Sequence, residues 1–189
     1  MNTCRENKVK VVEATIAVFK RKGMKFTMDD LAKELGMSKK TIYTIFRDKE
    51  HIFMYMVDYA FDKIKECEEK ILHDDSLSTL EKLHKMLGVL PDGYKELDFR
   101  QLYYIKYKYP NIYKKIEERL DAGWEGTIAL MNRGVSEGVF KPFNVVVFKA
   151  TFEAAVLQFF ERDVLIPHNI SYADALESLV SILIDGIAA

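Results

Sequence analysis

The sequence predicts an all-α protein, with a small N-terminal three-helix unit followed by a larger helical domain. Apolar residues recur at three- and four-residue intervals along most of the 189 residues, which is the period of a helix with one buried face. No segment alternates Val, Ile or Thr with polar residues between the Asn-Gly or Asp-Gly turns typical of a β-hairpin. All four prolines lie beyond residue 90, where each can mark a helix boundary.

The first predicted helix covers about residues 8 to 22. Val12, Ile16 and Phe19 lie on one face of this helix, at the spacing of a buried stripe. Gly23 follows directly and suits the left-handed conformation that commonly ends a helix, because it has no Cβ to clash.

Two short helices joined by a tight turn are predicted next. Thr27 and Asp30 have the spacing of a capping box, in which each side chain hydrogen-bonds the backbone N–H of the other residue. The box predicts a helix that begins at about residue 28 and ends before Gly36. Ser38 is the expected N-cap of the second short helix, and Asp48 that of a long helix to about residue 72.

The remainder of the chain also has helical patterns. The predicted helices cover about residues 76–90, 97–109, 111–136, 143–162 and 172–187. Within the third of these, Gly123-Trp124-Glu125-Gly126 indicates an interruption or a close-packing site, since glycine is a poor helix former. The last two helices are apolar on more than one face, which predicts burial inside the chain and against a partner.

Residues 27 to 49 have the apolar pattern of a helix-turn-helix. Leu31 and Leu35 face inward on the first helix, as do Ile42 and Ile45 on the second. This unit presents its second helix to the major groove of DNA. Its outward face carries candidate contacts to phosphates and base edges, which are Lys39, Lys40, Thr41, Tyr43 and Thr44. Further candidates stand at helix N-termini, which favour phosphates, and they are Thr27, Ser38 and Lys49.

The charge distribution agrees with a nucleic-acid contact near the N-terminus. The whole chain has a formal net charge of −1. Its first 50 residues hold 12 Lys and Arg against 7 Asp and Glu, a charge of +5, which leaves −6 for the other 139 residues. A basic module on an acidic body is suited to meeting a polyanion.

The stretch from about residue 9 to residue 59 resembles the DNA-binding domain of TetR-family transcriptional regulators. Its most specific part is the run from Ile42 to Glu50. The other matching residues are Ala14, Phe19, Gly23, Thr27, Asp30, Leu31, Ala32, Gly36, Ser38, Thr41, Tyr43, Phe46, Lys49 and Phe53. One departure is Ile45, where the family often has an aromatic residue or histidine that can touch the DNA backbone.

The resemblance implies a recognition helix at about residues 39–46, a DNA-binding domain at 1–48 and a helical ligand-binding and dimerisation domain at 49–189. It implies a sequence-specific regulator, by default a repressor, which a small-molecule effector releases from a pseudopalindromic operator. A homodimer is expected to form through the last two helices. The candidate interface residues are Phe148, Phe152, Ala155, Phe159, Leu176, Leu179 and Leu183.

An effector pocket is the other property that the resemblance implies. Candidate lining residues are Met86, Phe99, Tyr103, Tyr104, Tyr107, Trp124 and Met131. Aromatic residues at helical spacing also form plain core, so both interpretations stay open. Buried tyrosine hydroxyls need partners and could orient a ligand.

Other classes of protein fit the sequence less well. It has no Gly-rich phosphate loop, nucleophile elbow or His-Glu-x-x-His motif, which disfavours an enzyme. The four histidines and two cysteines lack ligand spacing, so no metal site or cofactor is predicted. No apolar run approaches a membrane span and no signal sequence is visible, so we expect a cytoplasmic protein. The main alternative is a TetR-like DNA-binding protein that acts in chromosome organisation through a protein partner.

Overall fold

The computed structural model describes residues 2–91, 93–95, 107–161 and 164–189, which are helical without a strand. Labelled in chain order, their α-helices are α1 (Asn2–Lys22), α2 (Met28–Leu35), α3 (Lys39–Ile45), α4 (Lys49–Leu72), α5 (Thr79–Leu87), α6 (Pro110–Asp121), α7 (Glu125–Ser136), α8 (Val145–Glu161) and α9 (Tyr172–Ile187). Short 3₁₀ helices lie at Gly23–Lys25 and Ile166–His168. These observations confirm the predicted all-α class.

The N-terminal unit packs α1, α2 and α3 around one apolar core, and the first turns of α4 close it. Val12, Leu31 and Ile42 have no exposed surface, and Phe19 and Phe53 are 1% exposed. Phe53 lies on α4, and its ring meets Phe19 edge-on at a centroid distance of 6.1 Å. The three short helices therefore depend on α4 for the fourth side of their core.

The predicted caps begin and end these helices. The Thr27 hydroxyl accepts a hydrogen bond from the Asp30 N–H at 3.2 Å, and the Thr27 N–H donates to the Asp30 carboxylate at 2.9 Å. Gly36 ends α2 with a φ of +61°, a left-handed conformation that suits glycine. Ser38 and Asp48 cap α3 and α4. An N-cap of this kind contributes about 1 kcal/mol.

The long helix α4 connects the two parts of the molecule. Its 24 residues span about 36 Å at 1.5 Å per residue. Its N-terminal turns pack on α1, while α5 and α6 also pack against it. The same helix therefore contributes to the core of the N-terminal unit and to that of the larger domain.

The helix predicted over 111–136 is two helices. They are α6 and α7, separated at Ala122–Trp124, where Gly123 has a φ of +76°. A Cβ on Gly123 would lie 2.8 Å from Cε of Lys65 on α4. The helix predicted over 76–90 is the shorter α5, because Ser78 forms a capping box with Glu81. The predicted helix 97–109 falls largely outside the described residues.

The C-terminal part packs α8 against α9, and α9 also contacts α5. An antiparallel bridge joins Phe140 to Ala188, with the Lys141 N–H donating to the Ile187 carbonyl at 2.8 Å. None of the described helices is long and apolar enough to cross a lipid bilayer.

Candidate nucleic-acid interface and internal cavity

The short helix α3 has one buried face and one polar, exposed face. Ile42 is fully buried and Phe46, just beyond the helix, is 5% exposed. The predicted contact residues are all exposed, and these are Lys39, Lys40, Thr41, Tyr43 and Thr44. Tyr43 is an aromatic side chain with 48% of its surface open to solvent. Core packing therefore explains the inner face of α3 and leaves the outer face available.

Hydroxyl groups at the start of α3 are oriented by local hydrogen bonds. The Ser38 hydroxyl accepts from the Thr41 N–H at 3.1 Å and lies 2.9 Å from the Thr41 hydroxyl. The Thr44 hydroxyl donates to the Thr41 carbonyl at 2.6 Å. Thr27, at the start of α2, is also exposed while its hydroxyl donates to Asp30 at 3.0 Å. All four side chains are thus held at the surface by their helix caps and turns.

The two lysines that begin α3 have different surroundings. Nζ of Lys39 lies 2.8 Å from a carboxylate oxygen of Asp29 on α2, and this hydrogen bond raises the pKa of Lys39. Lys40 is exposed and has no ion-pair partner within the described part of the chain. Lys40 therefore presents an uncompensated positive charge, whereas that of Lys39 is shared with Asp29.

The third predicted cation, Lys49, points into the N-terminal unit. Its Nζ donates to the carbonyls of Met24 at 2.8 Å and Phe26 at 2.7 Å. The ammonium also lies 3.7 Å from the centre of the Phe26 ring. Burial is the main cause that lowers the pKa of Lys49 to about 8, and the nearby Lys108 adds to the effect. The structure thus separates Lys49 from the exposed residues of α3.

Comparison with known proteins gives this arrangement a family. Residues 11–56, from α1 into α4, match the family model for bacterial regulatory proteins of the tetR family. The chain belongs to the TetR family of transcriptional regulators. A TetR-family protein of this kind is a DNA-binding transcriptional regulator and not an enzyme.

Relatives along the whole chain agree with TetR membership. The chain is 28% identical over 180 residues to YvaF, an HTH-type transcriptional regulator of Bacillus subtilis (strain 168), and the match covers 95% of each protein. It is 26% identical over 153 residues to YfiR, another such regulator of that strain, covering 78% of this chain and 74% of YfiR.

Solved TetR structures share the fold. A TetR transcription regulator from Haloarcula marismortui ATCC 43049 aligns with a TM-score of 0.74 at 15% identity, over 98% of this chain and 100% of that one. A TetR-family regulator from Cytophaga hutchinsonii gives 0.69 at 17% identity, over 100% and 98% of the two chains.

A cavity of about 170 Å³ lies inside the larger domain of this TetR protein. Two of the predicted lining residues, Met86 and Trp124, line it. Met131 is fully buried but lies elsewhere in the core, and Tyr107 is 72% exposed. The other three predicted residues, Phe99, Tyr103 and Tyr104, fall outside the described residues.

Much of the cavity wall comes from α4, which the sequence analysis did not assign to the pocket. The α4 residues that line it include Phe53, Met56, Val57, Ala60, Phe61 and Ile64. The signal was present in the sequence, because these residues give α4 more apolar positions than one packed face requires. Phe19 of α1 also lines the cavity, so its wall is continuous with the core of the DNA-binding unit.

The charged groups in the cavity wall are paired. Nζ of Lys65 lies 2.6 Å from the Glu68 carboxylate and donates to the Gly123 carbonyl at 2.6 Å. Burial raises the pKa of Glu68, against the opposing effect of Lys65. Arg119 pairs with Asp62 at 2.7 Å. Within the described ranges, no three His, Cys, Asp or Glu side chains come together as a metal site would require.

The predicted interface residues divide into two groups. Phe148, Phe152 and Leu176 are 5–7% exposed and belong to the core of the single chain. The others are partly exposed, and these are Ala155, Phe159, Leu179 and Leu183. Three large apolar residues not singled out from the sequence are far more exposed, namely Val146 at 76%, Val147 at 59% and Ile182 at 69%.

Proposed function

We propose that this TetR-family regulator is a homodimeric repressor that binds a pseudopalindromic operator through α3 and is released by an apolar small molecule in the cavity. The observation that carries the proposal is the exposed polar face of α3, which has no internal packing role and is built on a rigid, capped unit. The cavity, whose wall shares Phe19 and Phe53 with that unit, supports the release step.

Operator contacts are proposed for the outer face of α3. Lys40 is suited to guanine O6 and N7 or to a phosphate, and Thr41 and Thr44 can donate, accept or offer a methyl to thymine. Tyr43 adds a hydroxyl beyond an exposed ring. Lys39 can join them once it exchanges Asp29 for DNA, and the Thr27 and Ser38 hydroxyls are placed for backbone phosphates.

Dimerisation is proposed through α8 and α9. Val147 and Ile182, with the small exposed residues Ala150 and Ala154, leave an apolar surface on these helices, and such surfaces commonly mark protein–protein contacts. The partly exposed Phe159 belongs to the same pair of helices. A symmetric pair would hold two α3 helices about one turn of DNA (~34 Å) or a multiple apart, so that they read two half-sites.

The proposed effector is a small and largely apolar molecule. A cavity of this size is comparable to one of ~150 Å³ that holds benzene. Its described charged groups already have partners, so they provide little drive for a charged ligand. Release from DNA requires that the ligand bind the two states of the protein with different affinity. Because α4 contributes to the cavity and to the DNA-binding core, a shift of α4 could connect the two sites.

Selection from a pool of random duplex DNA tests the DNA-binding part of the proposal. The wild type and a variant with Lys39, Lys40 and Tyr43 all changed to alanine are compared. Enrichment of a pseudopalindrome by the wild type alone is the expected result. Binding by both proteins that is sensitive to salt but selects no sequence would contradict it. Many operator copies spread around a chromosome would favour a role in chromosome organisation instead.

The effector part has its own test, which uses the selected operator and an uncharged aromatic probe such as naphthalene. The probe should bind the wild type, stabilise it against heat and weaken operator binding. Ala60→Phe is the matched variant, because its ring would occupy part of the cavity, and it should lose these responses. Equal operator affinity with and without bound probe would remove the release mechanism for that ligand.

A further inference from the structure

Lys49 joins the two ends of the helix-turn-helix. The segment from Thr27 to Asp48 contains α2, the turn and α3, and Lys49 is the first residue after it. The carbonyls that accept from its ammonium belong to Met24 and Phe26, immediately before that segment. A single side chain therefore connects the entry of the helix-turn-helix to its exit.

The ammonium of Lys49 has little capacity left for an external partner. It has three N–H donors, and two of them are used by carbonyl oxygens at 2.8 and 2.7 Å. It also lies over the faces of Phe26, at 3.7 Å, and Phe53, at 5.7 Å. The side chain is half-buried, so turning it out to a phosphate would remove these contacts and uncover the two rings.

The aromatic floor beneath Lys49 continues toward the cavity. Phe26 and Phe53 lie 5.8 Å apart, and Phe53 meets Phe19 at 6.1 Å. Phe19 and Phe53 also line the cavity. The contact made by Lys49 thus fixes the start of α2 to the part of α4 that belongs to both regions.

We propose that Lys49 is a positioning residue, which holds the helix-turn-helix at a fixed angle on α4, and that it does not bind a DNA phosphate. This inference rests on the proposed DNA-binding function of α3. It assigns to Lys49 a role different from the phosphate contact that the sequence resemblance implies.

The two roles predict different salt dependence. A lysine that binds a phosphate releases a counterion, so its loss lowers the slope of log affinity against log salt by about 0.9 and weakens binding to all duplexes alike. A positioning lysine releases none. Its loss should leave the slope and the affinity for random DNA unchanged, while operator affinity falls because α3 is misaligned.

Arginine distinguishes the roles further. Its guanidinium binds phosphate at least as well as an ammonium does, but its planar fork differs in shape from the compact ammonium that fits between two carbonyls and a ring. Lys49→Arg should therefore fail as Lys49→Met does, if Lys49 is a positioning residue. It should retain operator binding if Lys49 contacts a phosphate.

The experiment measures dissociation constants for the selected operator and a random duplex at several salt concentrations. The proteins are the wild type, Lys49→Met, Lys49→Arg and the matched surface variant Lys40→Met. We expect both Lys49 variants to bind operator at least about tenfold more weakly, with unchanged slope on random DNA. Lys40→Met should lower the slope on both. Normal operator binding by Lys49→Arg, or a lower slope for Lys49→Met, would overturn the proposal.

A measurement on the wild type covers the case in which the variants do not fold. The ¹³Cε resonance of Lys49 is followed by NMR as operator is added, with Lys40 as the comparison. A resonance that moves only for Lys40 supports the internal role, and a comparable shift at Lys49 refutes it. Failure of the wild type to select any operator would count against the proposed function, and a random duplex would then replace the operator in this titration.

Discussion

Replacing Asp29 by asparagine should strengthen binding to duplex DNA of arbitrary sequence. Asp29 holds the first cation of α3, with 2.8 Å between the Lys39 nitrogen and the carboxylate oxygen. The side chains are 48% and 59% exposed, respectively, and ion pairs this exposed contribute about 0.2–1 kcal/mol. Releasing Lys39 should therefore raise affinity for random DNA by at most about fivefold from this contact. If Lys39 then binds a phosphate, the salt slope should steepen by about 0.9.

Fluorescence anisotropy with a labelled random duplex, between about 50 and 200 mM salt, measures both quantities. Glu34→Gln is the matched control, because Glu34 is also on α2 and its ion-pair partner is Arg21 on α1. It makes the same change in net charge without releasing Lys39. The reasoning is refuted if Glu34→Gln steepens the slope as much as Asp29→Asn does, or if Asp29→Asn keeps its effect when Lys39 is methionine.

Three further predictions concern stability and assembly. Gly36→Ala should lower the free energy of unfolding by about 1 kcal/mol, because its φ is +61°, and urea unfolding that shows no loss would contradict this. Ile182→Glu should halve the molar mass measured by light scattering and weaken operator binding, whereas Ile166→Glu, outside α8 and α9, should do neither. Because burial lowers the pKa of Lys49 to about 8, below its unfolded value near ~10.4, the folded state loses this proton first. The stability of the wild type relative to Lys49→Met should therefore rise from about pH 8 to 10, by less than ~1.4 kcal/mol per pH unit, and a flat or falling difference in urea unfolding would contradict it.

The sequence was most informative where structure is determined locally. Thr27 and Asp30 are three residues apart, and their capping box needs nothing beyond that segment. Gly36 and Ser38 likewise define the turn through their own conformations. The exposed face of α3 followed from the same spacing, since burial of Ile42 turns Tyr43 outward.

Long-range contacts were harder to predict. The break between α6 and α7 depends on Lys65, which is distant in sequence and occupies the space where a side chain on residue 123 would lie. The internal role of Lys49 likewise depends on the carbonyls of a turn on the far side of α2 and α3. Residue type and spacing gave no information about either contact.

Periodicity also could not assign the faces of helices that are apolar all round. Phe148 and Phe152 of α8 pack inside the chain, while Val147 is exposed, yet all three fit an apolar helix pattern. The same limit applies to Tyr107, whose position among other tyrosines suggested a cavity wall but whose side chain is exposed. Such choices depend on how neighbouring helices cross.

The place of Phe53 in two cores has a consequence for building chimeric regulators. A graft that transfers residues 1–48 onto another effector domain would leave Phe53 behind, and with it the ring against which Phe19 and Phe26 pack. Lys49 would be left behind as well. A new operator specificity is therefore better transferred by exchanging the outward residues of α3, or by moving the cut point far enough into α4 to carry its first turns.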